Sequence, residues 1–435
     1  MQFIQSIKTL IFSVYLKETF RTSSKYFTRE RKQPFPELII FMLNLVRKSL
    51  QMELHVFKEI LNKLGIGERL YGYISKSAFV QNRMKVSPMA FKHLIHATND
   101  EFYTDNDERV KLWKGFRLLA TDGSRYTLPI VEELIKKYGL TKNQYDTEVV
   151  NARASILFDV ENKMIIDAYL VPLEQGERVI AIKHLDYCNS NDLILYDRGY
   201  TGFDFVFEHL QRNINCLIRC KHDFNKVIIN FVSSEKQEDI IEIGPRQDRL
   251  YQCKAYDKRS RIIVRLVKVI LEDGETEILL TTLVDKEKFP IQIFKGLYNK
   301  RWGIEKNYDV QKNKIQVENF SGYSDISIQQ DFYCSLFIGN LQSLLLSELE
   351  EEVKEKYGER KLEYKINENL SIGFLKNKII ELFLSKKPET ILEELKHLLL
   401  QHVEPIRPNR KNKRDTEKYR RRKKPVIKKN WKNNL

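Results

Sequence analysis

The sequence has 435 residues, and its 42% of hydrophobic residues can fill more than one ordinary domain core. Residues 405–435 carry 14 Lys and Arg against 2 acidic residues, so they account for +12 of the formal net charge of +15. Five irregularly spaced cysteines argue against a disulfide framework, and the apolar stretches at 9–16 and 38–46 fall short of the ~18 residues that a membrane span needs. Disulfide-rich secreted proteins and membrane-spanning proteins are therefore disfavoured, and a reducing cytoplasm is expected.

Residues 1–110 have a helical pattern. In PELIIFMLNLVRKSLQMELHVFKEILNKL, apolar residues recur every three or four positions, and Pro34 marks the start. Residues 75–97 predict two shorter helices that break at Ser87-Pro88, either as a helix-turn-helix reader of DNA or as a merely packed pair. Four basic side chains of this segment are expected to face outward: Lys76, Arg83, Lys85 and Lys92.

From residue 111 the pattern changes from helical to extended. FRLLATD, ASILFDV and MIIDAYLVP predict three strands, the last two joined as a hairpin at 161–163. A helix over 177–187, the strand LILYD, a helix over 203–212 and the strand INCLIRC follow. This order predicts an α/β fold, a mixed sheet flanked by helices, in which Asp122 and Asp197 end neighbouring strands.

Residues 223–286 consist of short β-rich runs. We predict strands in VIINFV, DIIEI, LYQCKAY, RIIVRLVKVIL and EILLTTLVD, with a tight hairpin at Asp273-Gly274. Between Asp197 and the next polar motif lie far more residues than one strand and one helix need. The stretch is therefore predicted to be a β-rich insertion in the core.

That next motif lies in LYNKRWGIEKNYDVQKNKIQVENFSG. Four polar residues there are spaced so that one helix, at ~100° per residue, would place them on a stripe about 60° wide: Tyr298, Arg301, Glu305 and Lys312. A second, apolar stripe about 70° to one side should be buried: Leu297, Ile304, Tyr308 and Ile315. Trp302 is expected to be a core aromatic. The polar residues would thus lie at the border of the core, where they are both held and accessible.

Three carboxylates would form a cluster if the fold brings Asp122, Asp197 and Glu305 together. Oxygen ligands without Cys or His favour Mg²⁺ or Mn²⁺ over Zn²⁺. Two such ions ~3.5–4 Å apart polarise the attacking and the leaving oxygen of a phosphoryl displacement. Taken singly, Glu305 could instead pair with a neighbouring cation on a solvated helix face, and the two aspartates could cap turns.

The end of the chain divides into three parts. Residues 331–350 form an apolar helix that packs on the core or serves a subunit contact, and residues 351–404 are predicted to be helical. The basic residues 405–435 are too poor in apolar side chains to fold alone, so they are expected to be disordered until they bind a polyanion such as DNA. The alternative is a solvated charged end without a role.

The spacing Tyr-x2-Arg-x3-Glu-x6-Lys, with Trp302 and Ile304 inside it and ENFSG after it, resembles the signature of the IS4-type DDE transposases of bacterial insertion sequences. ATDGS around Asp122, DRGY around Asp197 and ENFSGYSDISIQQDFYCSLFIGNLQSLL resemble the catalytic half of the same family. The resemblance covers roughly residues 30–345. It implies an RNase H-like catalytic core that carries out cut-and-paste DNA transposition in the bacterial cytoplasm, at the nucleoid.

The resemblance also implies a role for each candidate residue. Asp122, Asp197 and Glu305 would be the catalytic residues and the ligands of two Mg²⁺ or Mn²⁺ ions. A metal-bound water would hydrolyse the phosphodiester at the element end, and the freed 3′-OH would attack target DNA. Four residues near the carboxylates would bind DNA: Tyr298, Arg301, Lys312 and Arg198.

The implied partners are double-stranded DNA, as the inverted repeats of the element and as its target, and a second copy of the chain. A homodimer is expected because two ends must be paired before they are joined. In similar transposases the β-rich insertion packs against DNA and a Trp can stack on a flipped base. Here the insertion has no Trp, so stacking would fall to Phe231, Tyr251 or Tyr256.

Six regions are predicted in all: a helical DNA-binding region (1–110), the first part of the RNase H-like core (111–222), the β-rich insertion (223–286), the second part of the core with the Glu305 helix (287–350), a helical region (351–404) and the basic tail (405–435). Two other functions stay open: an RNase H-like DNA nuclease without strand transfer, and an inactive DNA-binding relic that acts as a regulator. No acidic position of the motif is missing, which argues against the relic.

Overall fold

The computed structural model describes residues 2–29, 32–46, 48–66, 74–104, 109–142, 146–245, 255–270 and 274–407. The helices are α1 (Gln2–Phe12), α2 (Val14–Phe20), α3 (Phe35–Leu43), α4 (Leu50–Lys63), α5 (Lys76–Arg83), α6 (Met89–Thr104), α7 (Glu132–Tyr138), α8 (Glu177–His184), α9 (Phe203–Gln211), α10 (Lys226–Ser233), α11 (Ile293–Asn299), α12 (Trp302–Asp309), α13 (Asp325–Glu348), α14 (Glu350–Tyr357), α15 (Glu368–Leu384) and α16 (Pro388–Gln401). The strands are β1 (Arg117–Leu128), β2 (Leu140–Lys142), β3 (Glu148–Asp159), β4 (Met164–Pro172), β5 (Asp192–Tyr196), β6 (Asn215–Cys220), β7 (Glu238–Ile243), β8 (Ile262–Ile270), β9 (Thr276–Thr281), β10 (Tyr364–Ile366) and β11 (Val403–Pro405).

The chain divides into two compact units. The helical unit comprises residues 1–110, 125–152 and 309–435, and the sheet unit comprises residues 111–124 and 153–308. None of the helices in the described ranges is long and apolar enough to cross a bilayer.

The helical unit is built around α13, whose buried residues cover most of its circumference and which packs against α3 and α6. The apolar helix predicted at 331–350 thus packs in the core of this unit. The helix break predicted at Ser87-Pro88 is confirmed, since α5 ends at Arg83 and α6 begins at Met89. The expectation that Arg83 and Lys92 face outward is wrong, because both are buried. A guanidinium is tolerated there because Arg83 Nη2 donates to Asp331 Oδ1 at 2.9 Å and Arg83 Nε to Gln330 Oε1 at 2.9 Å.

The sheet unit contains one mixed sheet with the strand order β4-β3-β1-β5-β6-β9-β8-β7, and within the helical unit β2 pairs with β3. The pairs β1–β5 and β5–β6 are parallel, whereas β6–β9, β9–β8 and β8–β7 are antiparallel. The order β4-β3-β1-β5-β6 is that of an RNase H-like sheet, so the predicted fold class is confirmed. The β-rich run predicted as an insertion extends this sheet through the pairing of β9 with β6.

One predicted strand of that run is a helix. VIINFV lies in α10, where the Asn225 side chain accepts the Ile228 N–H at 2.8 Å and so caps the helix. Ile228 and Phe231, three residues apart, are the buried members, so the apolar period is helical despite the β-branched residues. Tyr251 and Asp273 of the same run lie outside the described residues.

A buried ion pair sets the register between β1 and β5. Arg117 Nε and Nη2 each donate at 2.7 Å to the Asp192 carboxylate, which is fully buried. These residues are partners at the start of the two strands, and the pairing continues to Ala120 opposite Leu195. The strands are parallel, so each residue from Arg117 to Ala120 lies level with the residue 75 positions further along the chain.

The predicted helix through the Tyr-Arg-Glu-Lys motif is interrupted. The segment forms α11, then α12 after a break at Lys300 and Arg301, and then a π-helical turn over Val310–Lys314. Gly303 lies just after the break, and a Cβ there would lie 3.0 Å from a Val160 methyl group, so α12 approaches the β3–β4 turn more closely than a larger residue allows. The apolar stripe is nevertheless buried as predicted: Leu297, Ile304, Tyr308 and Ile315.

Candidate active site

Asp122 and Asp197 lie level on adjacent strands. Two residues beyond the Ala120–Leu195 pair, Asp122 continues β1 and Asp197 follows the last residue of β5. Neighbouring parallel strands are about 4.8 Å apart, so two level side chains of the same face are neighbours. The prediction that Asp122 ends its strand is wrong: β1 continues to Leu128, and Asp122 lies inside it.

Each aspartate accepts a backbone hydrogen bond from the next residue, Asp122 from Gly123 at 2.8 Å and Asp197 from Arg198 at 2.6 Å. Burial raises the pKa of Asp122 to about 6, and the charges of Glu177 and Asp197 add to the increase. Asp122 and Asp197 therefore repel each other in a partly buried environment, and a bound cation would reduce this repulsion.

Glu305 lies on α12 and pairs with Arg301. Arg301 Nη2 donates to Glu305 Oε1 at 2.8 Å, and the guanidinium is buried whereas the carboxylate is 37% exposed. Arg301 also lies within the electrostatic range of Asp122 and Asp197. Arg301 thus interacts electrostatically with all three carboxylates, and its pairing with Glu305 has the i,i+4 spacing of a helical ion pair.

Tyr308 anchors α12 to the sheet. Its hydroxyl lies 2.7 Å from the carbonyl oxygen of Asp122 and 3.0 Å from that of Ala154, so its single proton is shared between β1 and β3. Tyr308 is one helical turn after Glu305 and fixes the height of α12 against Asp122. Sequence reasoning gave Tyr308 only a place in the core, because the periodic pattern identifies burial but not hydrogen-bond partners.

Tyr298 and Trp302 flank the Arg301 guanidinium, which lies 5.7 Å from the Tyr298 ring centroid and 5.6 Å from that of Trp302. Burial raises the pKa of Tyr298 to about 12, and its hydroxyl has no hydrogen-bond partner in the part of the chain that the structure describes. The same holds for Arg301 Nε. The expectation of a core position for Trp302 is wrong, because its side chain is 50% exposed.

Lys312, Arg198 and Phe231 are the remaining candidates. Lys312 belongs to the helical unit, where its Nζ donates to the Arg125 carbonyl at 2.6 Å and lies 5.0 Å from the Tyr126 ring centroid. Arg198 is an exposed residue of the short 3₁₀ turn that Asp197 caps. Phe231 is buried in the sheet unit, which leaves no face for a stacked base.

One carboxylate of this site was not predicted. Glu177 is the first residue of α8, and its Oε1 would lie 3.0 Å from a Cβ built on Gly123. An acidic residue at the start of the helix after β4 is a recognisable pattern, but only the fold brings it beside Asp122.

No three His, Cys, Asp or Glu side chains within the described ranges are close enough together to hold a metal ion as they stand. The donor chemistry nevertheless fits a hard divalent cation, since the groups that meet here are carboxylates and phenol hydroxyls. The unpartnered Tyr298 hydroxyl and Arg301 Nε are further polar groups for which a bound ligand would provide partners.

A mixed sheet of RNase H-like order with two level aspartates and a glutamate helix beside them is the arrangement of the DDE class of DNA-processing proteins. The chain belongs to the transposase DDE domain family, whose model matches residues 118–341, slightly more than half of its length. The predicted resemblance to this class is thereby confirmed.

Two relatives from Escherichia coli (strain K12) are similar to the chain. The putative transposase InsZ is 27% identical over 163 residues, which cover 36% of this chain and 52% of InsZ, so the match spans about half the length of that relative. The transposase InsG for insertion sequence element IS4 is 21% identical over 340 residues, which cover 75% of this chain and 73% of InsG.

Among solved structures, a cryo-EM structure of a piggyBac transposase synaptic complex with hairpin DNA covers 96% of this chain and 89% of its own, with a TM-score of 0.45 and 9% identity.

Proposed function

We propose that this chain is the transposase of an insertion sequence, which binds the terminal inverted repeats, cleaves DNA there and joins the 3′-OH ends to target DNA. The observation that carries the proposal is the level alignment of Asp122 and Asp197 on adjacent strands, next to a helix that Tyr308 anchors and that presents Glu305. The similarity to InsG, a transposase for an insertion sequence element, supports the same conclusion.

Asp122, Asp197 and Glu305 would hold Mg²⁺ or Mn²⁺ as two ions, which supply Lewis-acid activation of a phosphodiester and of the attacking water or 3′-OH. Glu305 Oε1 accepts from Arg301, so its use as a ligand would compete with that bond and release the guanidinium. The freed guanidinium, with the Tyr298 hydroxyl, would then bind a phosphate of the DNA. Such contacts fix the register of the DNA and do not read its sequence, so Arg301 would position the scissile phosphate.

The helical unit supplies a second DNA contact. A cleft of about 920 Å³ between α2, α3 and α5 is lined by the cations Lys17, Lys25, Arg29 and Lys85. Gln33 lines the same cleft, is 2% exposed, and its Nε2 has no hydrogen-bond partner among the described residues. Four cations and a buried amide donor suit a phosphate backbone, whose affinity falls steeply as salt rises. We assign this cleft to double-stranded DNA. A homodimer would bring two DNA ends together, and Lys312, Arg198 and the basic residues 405–435 would add phosphate contacts.

A strand-transfer assay with labelled element ends and Mn²⁺ tests the catalytic part. The wild-type chain should give joined product, and Glu305→Gln should bind the ends with unchanged affinity but neither cut nor join them. Glu287→Gln, an exposed change in the same unit, is the matched control and should act like the wild type. Cut but unjoined ends from the wild type would identify a nuclease, shifted but uncut DNA a binder, and cleavage by Glu305→Gln would contradict the assignment of that residue.

The cleft is tested separately by a Lys25→Glu/Arg29→Glu double variant. Reversing two phosphate contacts should weaken DNA binding by at least about tenfold at low salt and flatten the salt dependence. Lys386→Glu, an exposed reversal in the same unit, should change little. Equal binding by the two variants would remove the cleft from the DNA path without affecting the catalytic assignment.

A further inference from the structure

The α8 helix places Glu177 over the strand that carries Asp122. Gly123 follows Asp122 in β1, and a Cβ built on it would lie 3.0 Å from Glu177 Oε1 and 3.2 Å from Glu177 Cδ and Cγ. The glutamate side chain therefore occupies the space that a residue larger than glycine would fill. Asp122-Gly123 is not a turn here, since both residues lie inside the strand. The glycine is explained by the carboxylate packed on it.

The charges of the sheet unit indicate that Glu177 and Asp122 share one site. The Glu177 and Asp122 carboxylates lie within electrostatic range of each other, and Glu177 packs on Gly123, the residue next to Asp122. The Glu177 side chain is 42% exposed, so a cation has access to it from solvent. Like charges placed this close destabilise each other unless a cation binds between them.

A buried tyrosine gives an independent indication of a missing ligand. Tyr200 is 1% exposed, and its hydroxyl has no hydrogen-bond partner in the described part of the chain. The charges within its range are those of Asp122, Glu177, Arg153 and Asp197. A buried O–H group normally donates a hydrogen bond to an acceptor. Because Tyr200 has no acceptor among the described residues, its acceptor is expected to be a water or phosphate oxygen that arrives with a ligand.

Within the described residues, Arg153 is a partner that could explain Glu177 structurally. Arg153 Nε lies 3.4 Å from Glu177 Oε1, and Arg153 Nη1 also donates to the Gln175 carbonyl. The distance from Arg153 to Glu177 is long for a charged hydrogen bond, and the pair does not account for the Tyr200 hydroxyl. The two explanations differ in what they predict for the metal-free chain.

We propose that Glu177 is a fourth carboxylate of the active site, which binds a divalent cation jointly with Asp122. This inference rests on the proposed function, and it adds to the three acidic residues of the motif a ligand from a different element of the fold. Gly123 would then be required for metal binding because it makes room for Glu177.

Mn²⁺ binding to the full chain without DNA, measured by the loss of the free Mn²⁺ electron paramagnetic resonance signal, tests the inference. Glu177→Gln removes one charged ligand, so it should weaken Mn²⁺ binding at least about tenfold, which corresponds to roughly 1.4 kcal/mol of binding free energy. Glu177→Asp keeps the charge and should retain part of the affinity. Glu174→Gln, an exposed change three residues earlier, should bind like the wild type. Wild-type Mn²⁺ affinity in Glu177→Gln would overturn the inference.

Thermal unfolding without metal separates a ligand from a structural partner. If Glu177 is a ligand, Glu177→Gln relieves repulsion, so the metal-free melting temperature stays equal or rises while the stabilisation by Mn²⁺ shrinks. If Glu177 only pairs with Arg153, the variant melts lower and its response to Mn²⁺ is unchanged, which would overturn the inference. Gly123→Ala should weaken Mn²⁺ binding in the wild-type background but not further in Glu177→Gln.

Failure of this inference differs from failure of the proposed function. If Glu177→Gln binds Mn²⁺ normally while Asp122→Asn and Glu305→Gln abolish strand transfer, the transposase assignment stands with three carboxylates. If Asp122→Asn also binds Mn²⁺ and cleaves DNA like the wild type, both assignments fail.

Discussion

Two buried tyrosines of the same segment should respond in opposite ways to removal of the hydroxyl group. The Tyr308 hydroxyl is shared by two backbone carbonyls of the sheet, whereas the buried Tyr298 hydroxyl has no partner among the described residues. Both substitutions to Phe keep the ring and delete one oxygen, so they form a matched pair.

The hydrogen bonds set the expected magnitudes. Tyr308→Phe leaves the carbonyls of Asp122 and Ala154 without that donor, and an unpaired buried polar group costs about 1–3 kcal/mol of the free energy of unfolding. Tyr298→Phe removes a buried group that already lacks a partner, so stability should stay equal or rise by up to about 1 kcal/mol. Tyr308→Phe should also slow strand transfer, because α12 then holds Glu305 less firmly beside Asp122.

The assay is urea unfolding followed by tryptophan fluorescence, combined with strand transfer measured below the unfolding transition. Tyr308→Phe should unfold at lower urea than the wild type, and Tyr298→Phe at equal or higher urea. Tyr298→Phe is nevertheless expected to weaken the DNA complex, since its hydroxyl is proposed to bind phosphate. A Tyr298→Phe variant that is destabilised as much as Tyr308→Phe would refute the assignment of the two hydroxyl groups.

Three other predictions follow from described contacts. Arg117→Leu leaves the charge of the fully buried Asp192 carboxylate without its ion-pair partner, so the free energy of unfolding measured in urea should fall by about 3–5 kcal/mol. The double variant Arg117→Leu/Asp192→Leu should recover much of that loss. Burial lowers the pKa of His209 to about 4, so the protein is stabilised by the neutral side chain above pH 6.5 and loses that stabilisation as the pH falls towards 4. His209→Gln should therefore reduce the loss of free energy of unfolding between pH 6.5 and pH 4 by up to about 3 kcal/mol. An unchanged dependence of stability on pH in this variant would contradict the prediction. Trp302→Ala removes a half-exposed ring, so melting should change little while DNA binding weakens; a large loss of stability would show that the ring is structural.

Local pattern was sufficient for much of the sheet. Apolar runs predicted β3, β4, β5 and β6, and an aspartate after such a run predicted the neighbouring positions of Asp122 and Asp197. Such predictions succeed because a strand buried on both faces must be apolar throughout.

Features that depend on packing between distant segments were not predictable. Asp-Gly indicates a turn, yet Asp122-Gly123 continues β1 because the glycine accommodates a glutamate from another element. The spacing of the Tyr-Arg-Glu-Lys motif predicts one helix, and its periodicity indicates neither the break at Lys300 and Arg301 nor the exposure of Trp302. VIINFV follows strand propensity, and its cap at Asn225 decides for a helix. The Glu177 contact lies outside the window that a sequence pattern covers, whereas the Asn225 cap lies inside it and was outweighed by the strand propensity of VIINFV.

The tyrosine anchor has a consequence for synthesis of the chain. Tyr308 and the Asp122 carbonyl that it binds are 186 residues apart, so this bond cannot form until most of the sheet unit has left the ribosome. A product that terminates before α12 would lack Glu305 and also α13, around which the helical unit is built. Neither the proposed catalytic glutamate nor the core of the helical unit is therefore available until the last third of the chain has been made.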